Sequence, residues 1–269
     1  MGLALAGMMA PAALVAQNSV APSPNAAARH APRRPANAAE AAAERKTDPY
    51  WINHDKQLMV DFGDLKHFAQ ADAALPPPAA GENRVVFLGD SITEGWNLKT
   101  SFPGKPYVNR GISGESSPQM LVRFRQDVID LHPKVVVILA GTNDIAGNTG
   151  PISAEQTEND LRSMADLATA NGIRPVLCSV TPAVDFWWAP GKDPSPQIAV
   201  LNQWIQSYAA RKGYVYVDFY SALKDAQGGY KPGLSRDGVH PGPSAHAIMN
   251  PLVEAGIQKA LKQHRRHGR

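Results

Sequence analysis

Two short segments carry side chains whose types and spacing could do chemistry together. The first, GDSITEG over residues 89–95, sets Ser91 directly after a short apolar run from Val85 to Leu88. A serine hydroxyl is a poor nucleophile until a neighbouring imidazole takes its proton. The second segment, SRDGVHPGPSAHAIM over residues 235–249, supplies that imidazole: Asp237 and His240 stand three residues apart in a loop, ahead of a last helix that Pro241 and Pro243 help to start. This spacing lets the carboxylate reach one ring nitrogen and hold the tautomer while the other nitrogen faces Ser91. The combination suits acyl transfer through a covalent serine intermediate. Read alone, Ser91 could equally be a helix N-cap after a strand.

Elements must exist to bring these segments together. Four apolar runs rich in β-branched residues are expected strands: Val85 to Leu88, Val135 to Ala140, Pro175 to Val180 and Tyr214 to Asp218. None alternates with polar residues, as a parallel sheet covered on both faces requires. Between them, Ser153 with Gln156 forms a capping box ahead of a helix closing at Asn171-Gly172, and Ser195-Pro196 opens another helix reaching about Arg211. The βαβα order predicts an open α/β fold without internal repeats, in which ligands bind beyond the carboxyl ends of the strands. That is where Ser91 falls. An amphipathic stretch from Tyr50 through Ala73, with Trp51, Leu58, Phe62, Leu65 and Phe68 as its apolar stripe, is expected to pack on the body.

Four segments taken in order resemble the four sequence blocks of the SGNH (GDSL) hydrolases, including the branch related to platelet-activating-factor acetylhydrolase: GDSITEG at Gly89, NRGISGES at Asn109, GTND at Gly141 and DGVH at Asp237. The resemblance covers essentially Tyr50 to Lys262 and implies a three-layer α/β/α, flavodoxin-like parallel sheet flanked by helices. It also implies roles: Ser91 as nucleophile, Asp237 and His240 completing a triad, and Gly114 and the Asn143 side chain as oxyanion donors beside the Ser91 amide. The chemistry is compatible, because a glycine can bring its backbone N–H close and an asparagine offers an NH₂ group. Asn143 could also simply end a strand and hold a turn, and Asp144 and Asn109 read as loop hydrogen-bonding residues. Asp90 reads as an orienting residue. The G-x-S-x-G elbow of the larger lipase fold is absent.

Ala183 to Pro196 interrupts the pattern with adjacent tryptophans and three prolines. This rigid aromatic loop is expected to wall a cleft, with Trp187 and Trp188 candidates either for stacking on substrate or for packing. His246 and His132 lack partner clusters, and no metal-ligand spacing occurs, so neither a metal nor any other cofactor is implied. The lone Cys178 sits in an apolar run and reads as a core residue.

The chain has 269 residues, 43% hydrophobic and 19% charged, enough for one globular catalytic domain. Its formal charge of +3 comes from flanking residues, Arg29, Arg33 and Arg34 at one end and Lys262, Arg265, Arg266 and Arg269 at the other. Without interleaved aromatics these do not point to nucleic acid. Residues 1–21 read as a secretory signal, 22–48 as a disordered Ala/Pro-rich linker, 49–262 as the hydrolase domain and 263–269 as a basic tail. The expected product is an exported, periplasmic or secreted monomer, without stable membrane insertion after processing. Its expected activity is a serine esterase acting on short acyl esters of an extracellular carbohydrate. A lysophospholipase or acyl-thioesterase is the alternative, and a non-catalytic carbohydrate-binding module retaining the fold is a further one.

Overall fold

The structure, a computed structural model, describes residues 35–263. The expected signal segment and basic tail therefore lie outside the described residues, apart from Gln263. The chain opens with helices α1 (Ala38–Arg45), α2 (Pro49–Val60) and α3 (Ala69–Ala74). Strand β1 (Val85–Gly89) then leads into α4 (Ser91–Glu94) and α5 (Leu98–Ser101), followed by β2 (Tyr107–Gly111) and α6 (Ser117–Asp127). Next come β3 (Val135–Leu139), α7 (Thr142–Ala146), α8 (Ala154–Ala170) and β4 (Arg174–Cys178). The chain ends with α9 (Pro194–Lys212), β5 (Val215–Val217), α10 (Phe219–Leu223) and α11 (Pro243–Lys262).

All strand pairs are parallel, in the order β2-β1-β3-β4-β5, which is the flavodoxin-like order. Pleating sends alternate residues to opposite faces. Val86, Leu88, Val136, Ile138 and Leu177 join one core with residues of α6, α8 and α9. Val85, Phe87, Val135, Val137 and Val217 join a second core with Trp96, Phe102, Phe219 and the inner face of α11. Helices thus cover both sides, making three layers. Cys178 is buried in the second core, where burial pushes its thiol well above the ordinary range. Among the described residues no helix is long and apolar enough to cross a membrane.

Three differences from the sequence reading have physical causes. Strand β2 was not among the expected strands: YVNRG is half polar because it lies at the sheet edge, where only Arg110 and Gly111 are buried. The stretch from Tyr50 to Ala73 is not one helix with a buried stripe. Asp61 ends α2 and its carboxylate accepts from the amides of Leu65 and Lys66, while Asp64 turns through φ 47°. Only Trp51 and Phe68 of the stripe are buried, and Phe62 and Leu65 are exposed. Lastly, the segment read as a disordered linker is helical over Ala38–Arg45. Asn37 caps this alanine-rich run through the Glu40 amide, and Arg45 anchors it on Asp55, the Asn148 carbonyl and the Trp51 ring.

Candidate active site

Strand β1 delivers Ser91 to the carboxyl edge of the sheet, at the point where the chain leaves β1 for β2 on one side and β3 lies on the other. Gly89 makes the sharp entry possible. A Cβ there would meet the Thr93 hydroxyl at 2.1 Å and the Leu139 carbonyl at 2.7 Å, so helix α4 and strand β3 can close around it only if the side chain is absent. Asp90 caps α4 by accepting from the Ile92 amide at 2.9 Å. Ser91 is thus the first residue of a helix, and its amide has no intrahelical acceptor.

The loop before α11 brings the second segment to it. The Ser91 Oγ lies 2.9 Å from His240 Nε2, and His240 Nδ1 lies 2.6 Å from Asp237 Oδ2. The other carboxylate oxygen accepts from the backbone amides of Val239 at 2.9 Å and His240 at 2.8 Å, and from Ser235 Oγ at 3.2 Å. Partial burial opposes ionisation of Asp237, but the hydrogen bond and charge of His240 and these backbone amides outweigh it, holding the carboxyl well below the usual carboxylate range. An ionised Asp237 accepts only, so the ring proton sits on Nδ1 and the Nε2 lone pair faces Ser91. The result is a hydroxyl, an imidazole and a carboxylate joined in series by two hydrogen bonds, the geometry that serine acyl transfer requires.

Beside it, Gly114 adopts φ 84°, and a Cβ there would meet the Tyr50 hydroxyl of α2 at 3.0 Å. Asn143, on the first turn of α7 beyond β3, is buried. Its Nδ2 donates to the Glu115 carbonyl at 2.9 Å and more loosely to Asp90 Oδ2 at 3.3 Å. Burial raises the Asp90 carboxyl to about 7.

The remaining sequence candidates are also located. Asp144 accepts from the Ser117 amide and hydroxyl and from Thr157, tying down the start of α6. Asn109 donates to the Thr93 and Trp96 carbonyls and accepts from the Gly111 amide, so it holds the turn after α4 against β2. His246 stacks on Trp96 with ring centroids 5.3 Å apart, and exposed His132 ends a 3₁₀ turn in a left-handed conformation. Trp187 and Trp188 are half-buried in the loop after β4, edge to face at 5.3 Å, and Trp188 also packs on the fully buried Phe186.

Several supporting residues escaped the sequence reading. Arg123, wholly buried in α6, bonds Glu115 Oε2 at 2.6 Å, Asp127 at 2.9 Å and the carbonyls of Gly89 at 3.2 Å and Arg110 at 2.9 Å. One guanidinium therefore clamps the end of β1 to the loop bearing Gly114. Asn148, two residues beyond α7, is buried and bonds both Asn143 and Gly114. Only the i, i+4 spacing of Arg123 and Asp127 offered a local signal.

Comparison with known proteins identifies the family and the fold. The model of the GDSL-like lipase/acylhydrolase family matches residues 87–248. Among solved structures, a GDSL-like lipase from Bacteroides thetaiotaomicron superimposes with a TM-score of 0.72 at 42% identity, covering 74% of this chain and 100% of that one. A candidate acylhydrolase from Bacteroides fragilis gives a TM-score of 0.73, also at 42% identity, covering 75% and 99%. An uncharacterized lipoprotein of Bacillus subtilis is 31% identical over 144 residues, 45% of this chain; the match spans 59% of that protein's length. An acetylxylan esterase of Geobacillus stearothermophilus is 26% identical over 62% of this chain and 90% of its own. The chain belongs to the GDSL-like lipase/acylhydrolase family within the SGNH/GDSL superfamily, and is a serine ester hydrolase.

Proposed function

We propose that the protein is an exported esterase that removes short acyl groups, acetyl above all, from an extracellular carbohydrate. The observation that carries the chemistry is the hydrogen-bonded series Ser91–His240–Asp237, at 2.9 and 2.6 Å. His240 Nε2 takes the hydroxyl proton as Ser91 Oγ attacks the ester carbonyl carbon. The oxyanion is met by the Ser91 and Gly114 amides and by Asn143 Nδ2. His240 then returns the proton to the departing alcohol, leaving an acyl-serine. Water, deprotonated by the same nitrogen, releases the acid. Each donor aimed at the oxyanion is worth on the order of 3–4 kcal/mol in the chemical step.

The choice of substrate rests on the half-buried tryptophan pair beside the site and on the likeness to an acetylxylan esterase. Export rests on the apolar residues 1–21 and on the likeness to a lipoprotein. The test is hydrolysis of nitrophenyl esters of increasing acyl length and of an acetylated xylooligosaccharide, by the protein and by Ser91→Ala. Best turnover of acetyl substrates, abolished in Ser91→Ala, is the expected result. A preference for long acyl chains would move the assignment to lipid or thioester substrates. Equal rates for the two proteins would remove Ser91 from the mechanism.

A further inference from the structure

Asn148 lies outside all four sequence blocks, yet its side chain bonds residues of two of them, Asn143 and Gly114. Its Nδ2 donates one hydrogen to Asn143 Oδ1 at 2.9 Å and the other to the Gly114 carbonyl at 3.0 Å. Its Oδ1 accepts from the Trp188 indole at 2.8 Å. Its carbonyl accepts from Arg45 at 2.9 Å, and its amide donates to the Asn143 carbonyl at 3.1 Å. The residue is 2% exposed, so these bonds form where water does not compete.

The polarity of this network is dictated by its ends. An indole N–H can only donate, so the Asn148 atom facing Trp188 must be the oxygen. The NH₂ of Asn148 must then face Gly114 and Asn143. Asn143 must in turn present its oxygen to Asn148, which leaves its own NH₂ toward the Glu115 carbonyl and Asp90 Oδ2. The Glu115 and Gly114 carbonyls, which only accept, demand the same orientations. A flipped Asn143 would offer an oxygen lone pair to an oxyanion, which is repulsive.

We propose that Asn148 is the positioning residue of the oxyanion site. It couples the Asn143 amide to the Gly114 backbone and is itself oriented by Trp188 from the loop after β4 and anchored by Arg45 from α1. Arg45 precedes the family-matched residues 87–248, so the helix read as linker helps set the site. Trp188 then acts through Asn148 by way of its N–H, whatever its ring face touches. The proposal rests on Asn143 and Gly114 being the oxyanion donors.

The experiment measures kcat and KM for nitrophenyl acetate with the full chain carrying Asn148→Ala, Asn148→Asp, Trp188→Phe, Asn143→Ala and the Asn143→Ala/Asn148→Ala pair. Circular dichroism and thermal melts monitor folding. Asn148→Ala should lower kcat on the order of 10- to 100-fold with KM within about threefold, because misplacing a preorganised donor weakens only transition-state binding. In the Asn143→Ala background the same change should cost at least about threefold less than in the parent, since one of the two groups being positioned is gone and only the Gly114 carbonyl remains to be held. Trp188→Phe keeps an aromatic face, though a smaller one, and removes the N–H; it should lower kcat and spare KM, whereas a purely substrate-stacking role would raise KM instead. Should Asn148→Ala fail to fold, the near-isosteric Asn148→Asp, which accepts but cannot donate, and Trp188→Phe decide the matter by the same kcat loss. A folded Asn148 variant with kcat within twofold of the parent, or losses at Asn143 and Asn148 that simply multiply, overturns the proposal. An Asn143→Ala protein with undiminished kcat would instead sink the oxyanion assignment beneath it.

Discussion

Replacing Asp237 by asparagine exchanges one oxygen for an NH₂ group, and the surrounding hydrogen bonds decide which one. Oδ1 accepts from the amides of Val239 and His240 at 2.9 and 2.8 Å, both obligate donors, so the amide oxygen of the substituted side chain must take that place. Its NH₂ then faces His240 Nδ1, where the carboxylate oxygen now sits at 2.6 Å. A donor in that position stabilises the tautomer with its proton on Nε2. That proton points at Ser91 Oγ 2.9 Å away, and the ring can no longer accept from the nucleophile. The same exchange in a serine-protease triad lowers kcat by roughly 10⁴. At ~1.4 kcal/mol per decade this corresponds to about 5.5 kcal/mol in the barrier. The side chain of Asp237 is 37% exposed and that of His240 31%, so solvent screens the pair, and the stability lost should not exceed ~1 kcal/mol. The expected signature is therefore a rate defect of about four decades in a protein that melts within a few degrees of the parent. Nitrophenyl acetate hydrolysis of Asp237→Asn, with Ser91→Ala as the floor, measures it. A kcat within tenfold of the parent would mean that Asp237 does not hold the tautomer, and the reasoning from its fixed Oδ1 would be wrong.

Two stability predictions follow from groups around the site. Burial lets Asp90 keep its proton up to about 7 in the folded state, whereas the unfolded chain releases it near the ordinary 3.8. The folded state binds more protons between those values, so stability present below about 4 is lost as pH rises toward 7. Asp90→Asn keeps an acceptor for the Ile92 amide and does not titrate. Its urea-unfolding free energy should exceed the parent's by a margin that opens between pH 4 and 7 and then levels, at an upper limit on the order of 4 kcal/mol. A margin independent of pH would refute the assignment. Arg123→Leu strands the Glu115 and Asp127 carboxylates without their buried cation and frees the end of β1 from the Gly114 loop. It should cost ~3–5 kcal/mol and lower the melting temperature on the order of 10 °C. A drop under about 3 °C would show that water or neighbouring groups replace the clamp.

Much of the molecule was legible in the amino-acid order because the responsible forces act locally. The β-branched runs at Val85, Val135 and Val215 announce strands buried on both faces. Ser153 and Gln156 satisfy each other's backbone amides within one helical turn, as their spacing predicts. Asp237 and His240 meet because three residues of loop suffice to bring them together. The alternation of strands and helices then places Ser91 at a strand's carboxyl end. What only the tertiary structure decided involves partners far apart in the chain, joined by polar groups with no periodic signature. Ser91 and His240 are separated by 149 residues, and their meeting depends on β1 and α11 packing against the same sheet. The edge position of β2 made its half-polar sequence compatible with a strand. Arg45, Asn148 and Trp188 are spread over the N-terminal helix, the turn after α7 and the loop after β4; the first falls in the expected linker, the last in the expected cleft wall, and Asn148 carries no sequence signal at all. Burial converts them into one directional network, because a buried donor or acceptor must be matched and an indole can be matched in only one sense.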